Sequence, residues 1–245
     1  MRLLVFQHID CEHPGQLRQY LKRDDVAWHA VELDKGEPIP PLDGYDALWV
    51  MGGPMDVWDV VEHPWLIEEK AAIRHWVREL ARPFLGFCLG HQLLADALGG
   101  ICGPQHPPEI GILDIELTQE GRSDPLFAGL PSRQKVLQWH SVRVVEPPKN
   151  AVVLARSPAC DVQAMRLGRN AWSMQYHVEV EPETVENWGK VPAYRAALEA
   201  TLGGGALGRM SAGADANMSD FTTNAERLYS NFRAAIGERL GCDRI

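Results

Sequence analysis

The stretch RPFLGFCLGHQLLADALGG at residues 82–100 carries the clearest statement of the chain's architecture. Pro83–Phe87 is a short apolar run of the kind that forms a buried strand, and LGHQLLADALGG after it is helix-like. Between them Cys88 has Gly86 and Gly90 two positions away on either side. A sharp strand-to-helix turn at that cysteine lifts its side chain out of the sheet, and the glycines remove Cβ atoms that would collide there. The sulfur then lies at a helix N-terminus, where the dipole and free N–H groups favour thiolate. The same N–H groups, beginning with that of Leu89, can hold a developing oxyanion. The alternative is an inert cysteine ending a core strand. Taken by itself, Cys88 leaves both open.

In the surrounding sequence, RLLVFQ at 2–7, WHAVEL at 28–33, DALWVMGG at 46–53 and PFLGF at 83–87 read as strands. PGQLRQYLKRDD at 14–25 and the stretch from His63 to Leu80 read as helices, the second with Leu66, Ile73, Trp76, Val77 and Leu80 at helical spacing. This alternation predicts an α/β fold with a mostly parallel central sheet flanked by helices. The second half is β-like: EIGILDIELT at 109–118, QKVLQWHSVRVVE at 134–146, AVVLARS at 151–157, DVQAMRL at 161–167 and AWSMQYHVEV at 171–180. It predicts an added antiparallel strand set whose last member returns to the main sheet. Beyond residue 181 the pattern is helical. A Gly- and Ala-rich stretch at 204–216 reads as mobile, and a final helix carries Phe221, Ala225, Leu228, Phe232, Ile236 and Leu240 on one face. We expect a single domain over 1–245, with 182–218 as an extra helical and flexible segment.

The chain has 245 residues, 45% hydrophobic and 23% charged, with a formal net charge of −9. That is a globular composition without the clustered Lys and Arg that nucleic acid or an anionic membrane would want. Five cysteines, odd in number and irregularly spaced, argue against a disulfide framework or zinc ribbon and for a reducing, cytoplasmic setting. No apolar run approaches a membrane span, and no P-loop or G-x-G-x-x-G supports nucleotide binding. Cys11, Cys102, Cys160 and Cys242 lack the setting of Cys88 and read as inert. His8, Asp10, Cys11, Glu12 and His13 in HIDCEHPG are metal-ligand types, but their spacing matches no closed site, and a polar loop is the better reading. No metal or cofactor is expected. QHPPE at 105–109 reads as a rigid connector, and His91 as a packing residue.

A cysteine nucleophile needs an oriented base. In MQYHVEV at 174–180, His177 and Glu179 share one face if the segment is a strand, and a carboxylate beside an imidazole holds one tautomer. Gly52 and Gly53 in MGGPMD end a strand and expose backbone N–H groups where open α/β sheets place their sites. A second oxyanion donor or an ordinary turn both fit there.

MGGPMD at 51–56, GFCLGHQ at 86–92, QWHSVRV at 138–144 and MQYHVEV at 174–180, in that order, resemble the class I glutamine amidotransferases. Within that family the chain is similar to the amidotransferase half of GMP synthase over about residues 1–181 and again in the last helix. The resemblance implies a flavodoxin-like sheet and a triad of Cys88 as nucleophile, His177 as base and acid, and Glu179 as its orienter. It implies Gly53 and Leu89 N–H groups as the oxyanion hole. It also implies glutamine held by Gly52, Gln92, Trp139, His140 and Ser141, and release of ammonia from the glutamine side chain, with a separate ammonia-accepting synthase as a partner. Two departures stand out. Val178 occupies a position where the family usually has proline, and the stretch from 182 to about 218 is longer. Trp188, Lys190, Tyr194 and Arg195 suit a wall or lid over the site. The same chemistry would serve a γ-glutamyl peptide or conjugate hydrolase. A non-enzymatic regulatory protein on this fold is the third reading, and an intact triad argues against it.

Overall fold

The computed structural model describes residues 1–242, with side chains through Gly237. The expectations for Leu240 and Cys242 therefore lie outside the described side chains. Strands β1 (Arg2–Gln7), β2 (Ala27–Glu32), β3 (Ala47–Val50) and β4 (Phe84–Phe87) pair in parallel. The runs of β1, β3 and β4 are almost wholly apolar because both faces of the sheet are covered there, whereas the edge strand β2 leaves Ala27, Trp28 and His29 exposed. Leu3 and Val5 pack into one layer with Trp49, Phe87 and Phe232, under α1 (Leu17–Arg23) and α7 (Ala206–Cys242). Leu4 and Phe6 pack into the opposite layer with Leu66, Ile73, Leu93 and Leu94, under α2 (Trp65–His75) and α3 (Leu89–Ala97). Each large apolar side chain fully enclosed this way contributes about 1.5–3 kcal/mol.

The rest of the sheet is antiparallel. β5 (Ile101–Leu117) and β6 (Arg133–Glu146) form a long hairpin interrupted by the short α4 (Gln119–Ser123), and β7 (Val152–Arg156) and β8 (Ala164–Leu167) follow. β9 (Ala171–Met174) then returns to lie parallel to β4, as expected. The result is one nine-stranded sheet in the order β2-β1-β3-β4-β9-β8-β7-β5-β6. Its parallel part changes direction between β1 and β3, so the loops after these two strands open a crevice at their carboxyl ends.

Three expectations need correction. The final strand stops at Met174, and beyond it only a single bridge joins His177 to Leu137. Residues 105–109 lie within the span of β5, and the register shifts between Pro104 and Glu109 because prolines cannot donate to the ladder. The Gly- and Ala-rich stretch forms a turn at Gly203–Gly205 and then helix: α7 begins at Ala206 and runs for 37 residues. Glycine costs a helix about 1 kcal/mol relative to alanine. Here Ala206, Met210 and Ala214 offset it by burying themselves with Ile110, Trp139, Trp188 and Tyr194. That third apolar layer sets α5 (Thr184–Trp188), α6 (Pro192–Leu202) and the first turns of α7 against the β5–β6 hairpin. Among the described residues, no helix is long and apolar enough to cross a membrane.

Candidate active site

Cys88 joins β4 directly to α3 with φ +49° and ψ −103°, a backbone region that side chains other than glycine seldom occupy. Strain of this kind costs on the order of 1–3 kcal/mol and persists only where its surroundings enforce it. Here the enforcement is visible. A Cβ on Gly90 would lie 2.1 Å from the Val50 carbonyl oxygen, and one on Gly86 would lie 2.6 Å from the Gly90 carbonyl oxygen. Cys88 N–H donates to Met174 O at 2.9 Å, and Gly90 N–H donates to Met51 O at 3.1 Å. The neighbouring strands β3 and β9 thus clamp the turn.

His177 lies in the irregular segment after β9. Its Nδ1 pairs with Glu179 Oε1 at 2.6 Å, and the other carboxylate oxygen of Glu179 accepts from Val178 N–H at 2.9 Å. The contact expected from strand alternation is therefore made by a turn. His177 N–H donates to Leu137 O at 3.0 Å, and Trp188 meets the ring edge-on at 4.4 Å between centroids. The buried Nε2 has no hydrogen-bond partner, and Cys88 stands near enough to favour the protonated ring. Burial alone would lower the imidazole pKa. The Glu179 carboxylate and Cys88 override it and hold His177 well above its ordinary value. Burial pushes the Cys88 thiol up, and the neighbouring His177 pulls it down. The Gln175 side-chain amide lies 3.6 Å from the sulfur.

Of the residues expected to bind, Gly53, Gln92, Trp139, His140 and Ser141 line one cavity of about 110 Å³ together with Cys88. Gln92 Nε2 donates to Val142 O and to Gln175 Oε1, each at 3.2 Å. His140 Nδ1 donates to Val142 O at 2.8 Å, and its Nε2 lies 3.3 Å from Glu109. Burial opposes ionisation of Glu109, yet His140 and Ser157 hold its carboxyl below the usual range. Gly52 turns its carbonyl away to His8 Nδ1 at 2.8 Å. Leu89 opens α3, where its N–H has no intrahelical acceptor.

Several neighbours escaped the sequence reading. His8 and Glu12 are buried rather than members of a polar loop. Glu12 accepts from Tyr194 O–H at 2.5 Å, while its second oxygen has no partner and rests against Gly52. Burial raises its pKa. Glu12, His177 and Glu179 bring ligand-type atoms within 4.8 Å of one another, a donor set that would accept a divalent cation. Tyr194, expected in the wall over the site, lines the cavity with the unforeseen Ala193 and Ala197 of α6, while Lys190 and Arg195, also expected in the wall, pair on the exposed surface with Asn187 and Glu199. The signal in the sequence was burial periodicity: Tyr194 and Leu198 share a helix face.

The chain is thus an open α/β protein with a strained cysteine elbow beside an imidazole–carboxylate pair. The family described as glutamine amidotransferase class-I matches residues 8–187, and the chain belongs to that family. It is 40% identical over 165 residues to the glutamine-hydrolysing GMP synthase of Aeropyrum pernix, a match covering 65% of this chain and 30% of that protein. It is 31% identical over 170 residues to a subunit of the glutamine-hydrolysing GMP synthase of Sulfolobus acidocaldarius, covering 68% and 86% of the two chains. The crystal structure of a glutamine amidotransferase from Thermotoga maritima superposes with a TM-score of 0.83 at 25% identity, covering 96% of this chain and 98% of that one.

Proposed function

We propose that this chain hydrolyses the side-chain amide of glutamine. The observation that carries the proposal is the strained Cys88 elbow, whose sulfur interacts with a buried imidazole anchored to Glu179. In this reading His177 takes the Cys88 proton as the sulfur attacks the γ-carbonyl carbon, and the charge that develops on oxygen is held by the Gly53 and Leu89 N–H groups. The C–N bond then breaks, His177 returns the proton to the leaving nitrogen, and ammonia departs from a glutamyl thioester. Water, deprotonated by the same imidazole, hydrolyses the thioester to glutamate and restores the thiol. Glu179 holds the ring and supports its protonated form. Gln92, Trp139, His140 and Ser141 form the substrate side of the cavity, which Gly52, expected among them, does not line. The names of the GMP synthase relatives support delivery of the ammonia to a separate synthase. We take residues 182–218 as part of the same domain, because their apolar face completes the cavity wall.

A γ-glutamyl peptide or conjugate hydrolase is the second reading. It is favoured by Ala193, Tyr194 and Ala197, which line the cavity yet lie beyond the stretch that matches the family. Glutamate release from glutamine and from a γ-glutamyl anilide separates the two. Cys88→Ala is expected to keep the fold and to lose at least about 10³-fold in kcat on whichever substrate is used. A glutamine-mimicking electrophile is expected to label Cys88, because among the described cysteines it is the one that lines the cavity, with His177 beside it, whereas Cys11, Cys102 and Cys160 lie outside that cavity. Wild-type turnover in Cys88→Ala, or labelling of Cys102 or Cys160 instead, would overturn the assignment.

A further inference from the structure

We propose that the buried His8–Glu69 pair aims the amide of Gly53 at the reaction centre, making His8 a positioning residue. The inference rests on the reading of Gly53 as an oxyanion donor. His8 follows the last residue of β1, Glu69 comes from α2, and both are enclosed, with Trp65 stacked on the imidazole at 5.5 Å and 14°. His8 Nε2 pairs with Glu69 Oε1 at 2.9 Å, and His8 Nδ1 pairs with the Gly52 carbonyl oxygen at 2.8 Å.

A carbonyl oxygen only accepts, so Nδ1 carries a hydrogen. This holds for either protonation state of the pair. An imidazolium would donate from both nitrogens, and a neutral ring would accept from a protonated Glu69 at Nε2 and still donate at Nδ1. The Gly52 carbonyl and the Gly53 N–H belong to one peptide unit. In a trans peptide these two groups point in opposite directions. Fixing the carbonyl toward His8 therefore fixes the Gly53 N–H away from His8. Gly53 borders the cavity beside Cys88, and a Cβ on it would lie 2.9 Å from His8 Cβ and 3.0 Å from a Leu89 methyl carbon. Two consecutive glycines allow this peptide to rotate, so its orientation needs an outside hold. A hydrogen bond to the carbonyl also polarises the peptide and strengthens its N–H as a donor. Neither His8 nor Glu69 lines the cavity, and the proposed reaction gives the pair no proton to carry.

The test compares two reactions of Cys88 in the full chain. Acylation by p-nitrophenyl acetate passes through a tetrahedral oxyanion, whereas alkylation by iodoacetamide is displacement at a saturated carbon and needs only the thiolate. His8→Leu is expected to lower the ratio of acylation to alkylation rates about 10- to 100-fold, the order seen when an oxyanion donor is weakened. With glutamine, the same variant is expected to lose kcat while KM stays within about threefold. His8→Asn carries an N–H close to the Nδ1 position and is expected to recover most of the ratio. His8→Gln carries its N–H near the Nε2 position and is expected to behave like His8→Leu. The two amide variants keep the comparison readable if His8→Leu does not fold. An unchanged ratio, or a His8→Asn variant no better than His8→Gln, would overturn the proposal. Absence of glutamine turnover in the wild type would instead count against the glutaminase reading, and the acylation ratio would still report on His8.

Discussion

Val178 shows what one residue changes at this site. The resemblance read from the sequence implies a proline there, and a proline would stiffen the turn after the histidine. In this chain the Val178 N–H donates to Glu179 Oε2, a bond that proline cannot make. The hold on this turn comes from the start of α1, at its N-cap Gln16 and at Arg18. Gln16 N–H donates to Glu179 O at 3.0 Å, Gln16 Nε2 donates to Val178 O at 3.1 Å, and Arg18 grips Glu181. Val178→Pro is therefore expected to leave a buried carboxylate oxygen unpaired and to destabilise by about 1.5–3 kcal/mol. On the proposed mechanism kcat should fall while KM changes little. A thermal melt and glutamate-release kinetics check this, and an equal or faster variant would show that the Val178 N–H contributes nothing. The sharp turn at Cys88 was legible from Gly86 and Gly90 at two fixed offsets, and its reading as a nucleophile came only with the other motifs in their order. The parts played by Glu12 and His8 were not, because a polar letter in a sequence does not reveal that folding will bury it.

Among the helices, α6 forms a wall of the cavity through Ala193, Tyr194 and Ala197. Two of these are small, and their size sets how near a ligand can come to the helix. Ala197→Leu adds bulk at the cavity edge and is expected to lower kcat/KM for a γ-glutamyl anilide at least about fivefold more than for glutamine, since one added apolar group in a pocket shifts binding by about 1–3 kcal/mol. Equal losses on both substrates would remove α6 from substrate choice. The parallel strands were legible from their short apolar runs, that of β3 leading into Gly52 and Gly53 and that of β4 starting after Pro83. The end of β9 was not: MQYHVEV alternates like a strand, and only the bridge from His177 to Leu137 shows where pairing ceases. The start of α7 was also hidden, because glycine-rich composition reads as a loop until a partner surface appears to bury Met210 and Ala214.

Across the fold, α7 ties the cavity wall to the main core. Its early turns carry Met210 and Ala214 in the layer with Trp188 and Tyr194, and its later turns carry Tyr229 and Phe232 in the layer with Trp49. The wall is therefore altered better by substitution than by excision, since removing residues 186–215 would take Trp188 from His177 and shorten a core helix. Buried thiols give the fold an alkaline weakness. Burial raises Cys160 to about 11 and Cys102 to about 12 from 9.0, so above pH 9 the unfolded chain loses protons that the folded chain keeps. Unfolding then releases protons, and stability falls as pH rises, by up to about 1.4 kcal/mol per pH unit for each thiol. Urea midpoints at pH 8 and pH 10 are expected to differ less in Cys160→Ala than in the wild type, and an identical difference would remove Cys160 as a cause.

The order of strands in the sheet also dictates when the elbow can form during synthesis. β4 lies between β3 and β9, and β9 leaves the ribosome only after the entire antiparallel set. Until then one edge of β4 is open, and the bond from Cys88 N–H to Met174 O cannot form. The β3 side of the clamp is already in the chain when Cys88 is made, and the β9 side arrives with the last strand. The elbow therefore has both of its holds only when the sheet is closed.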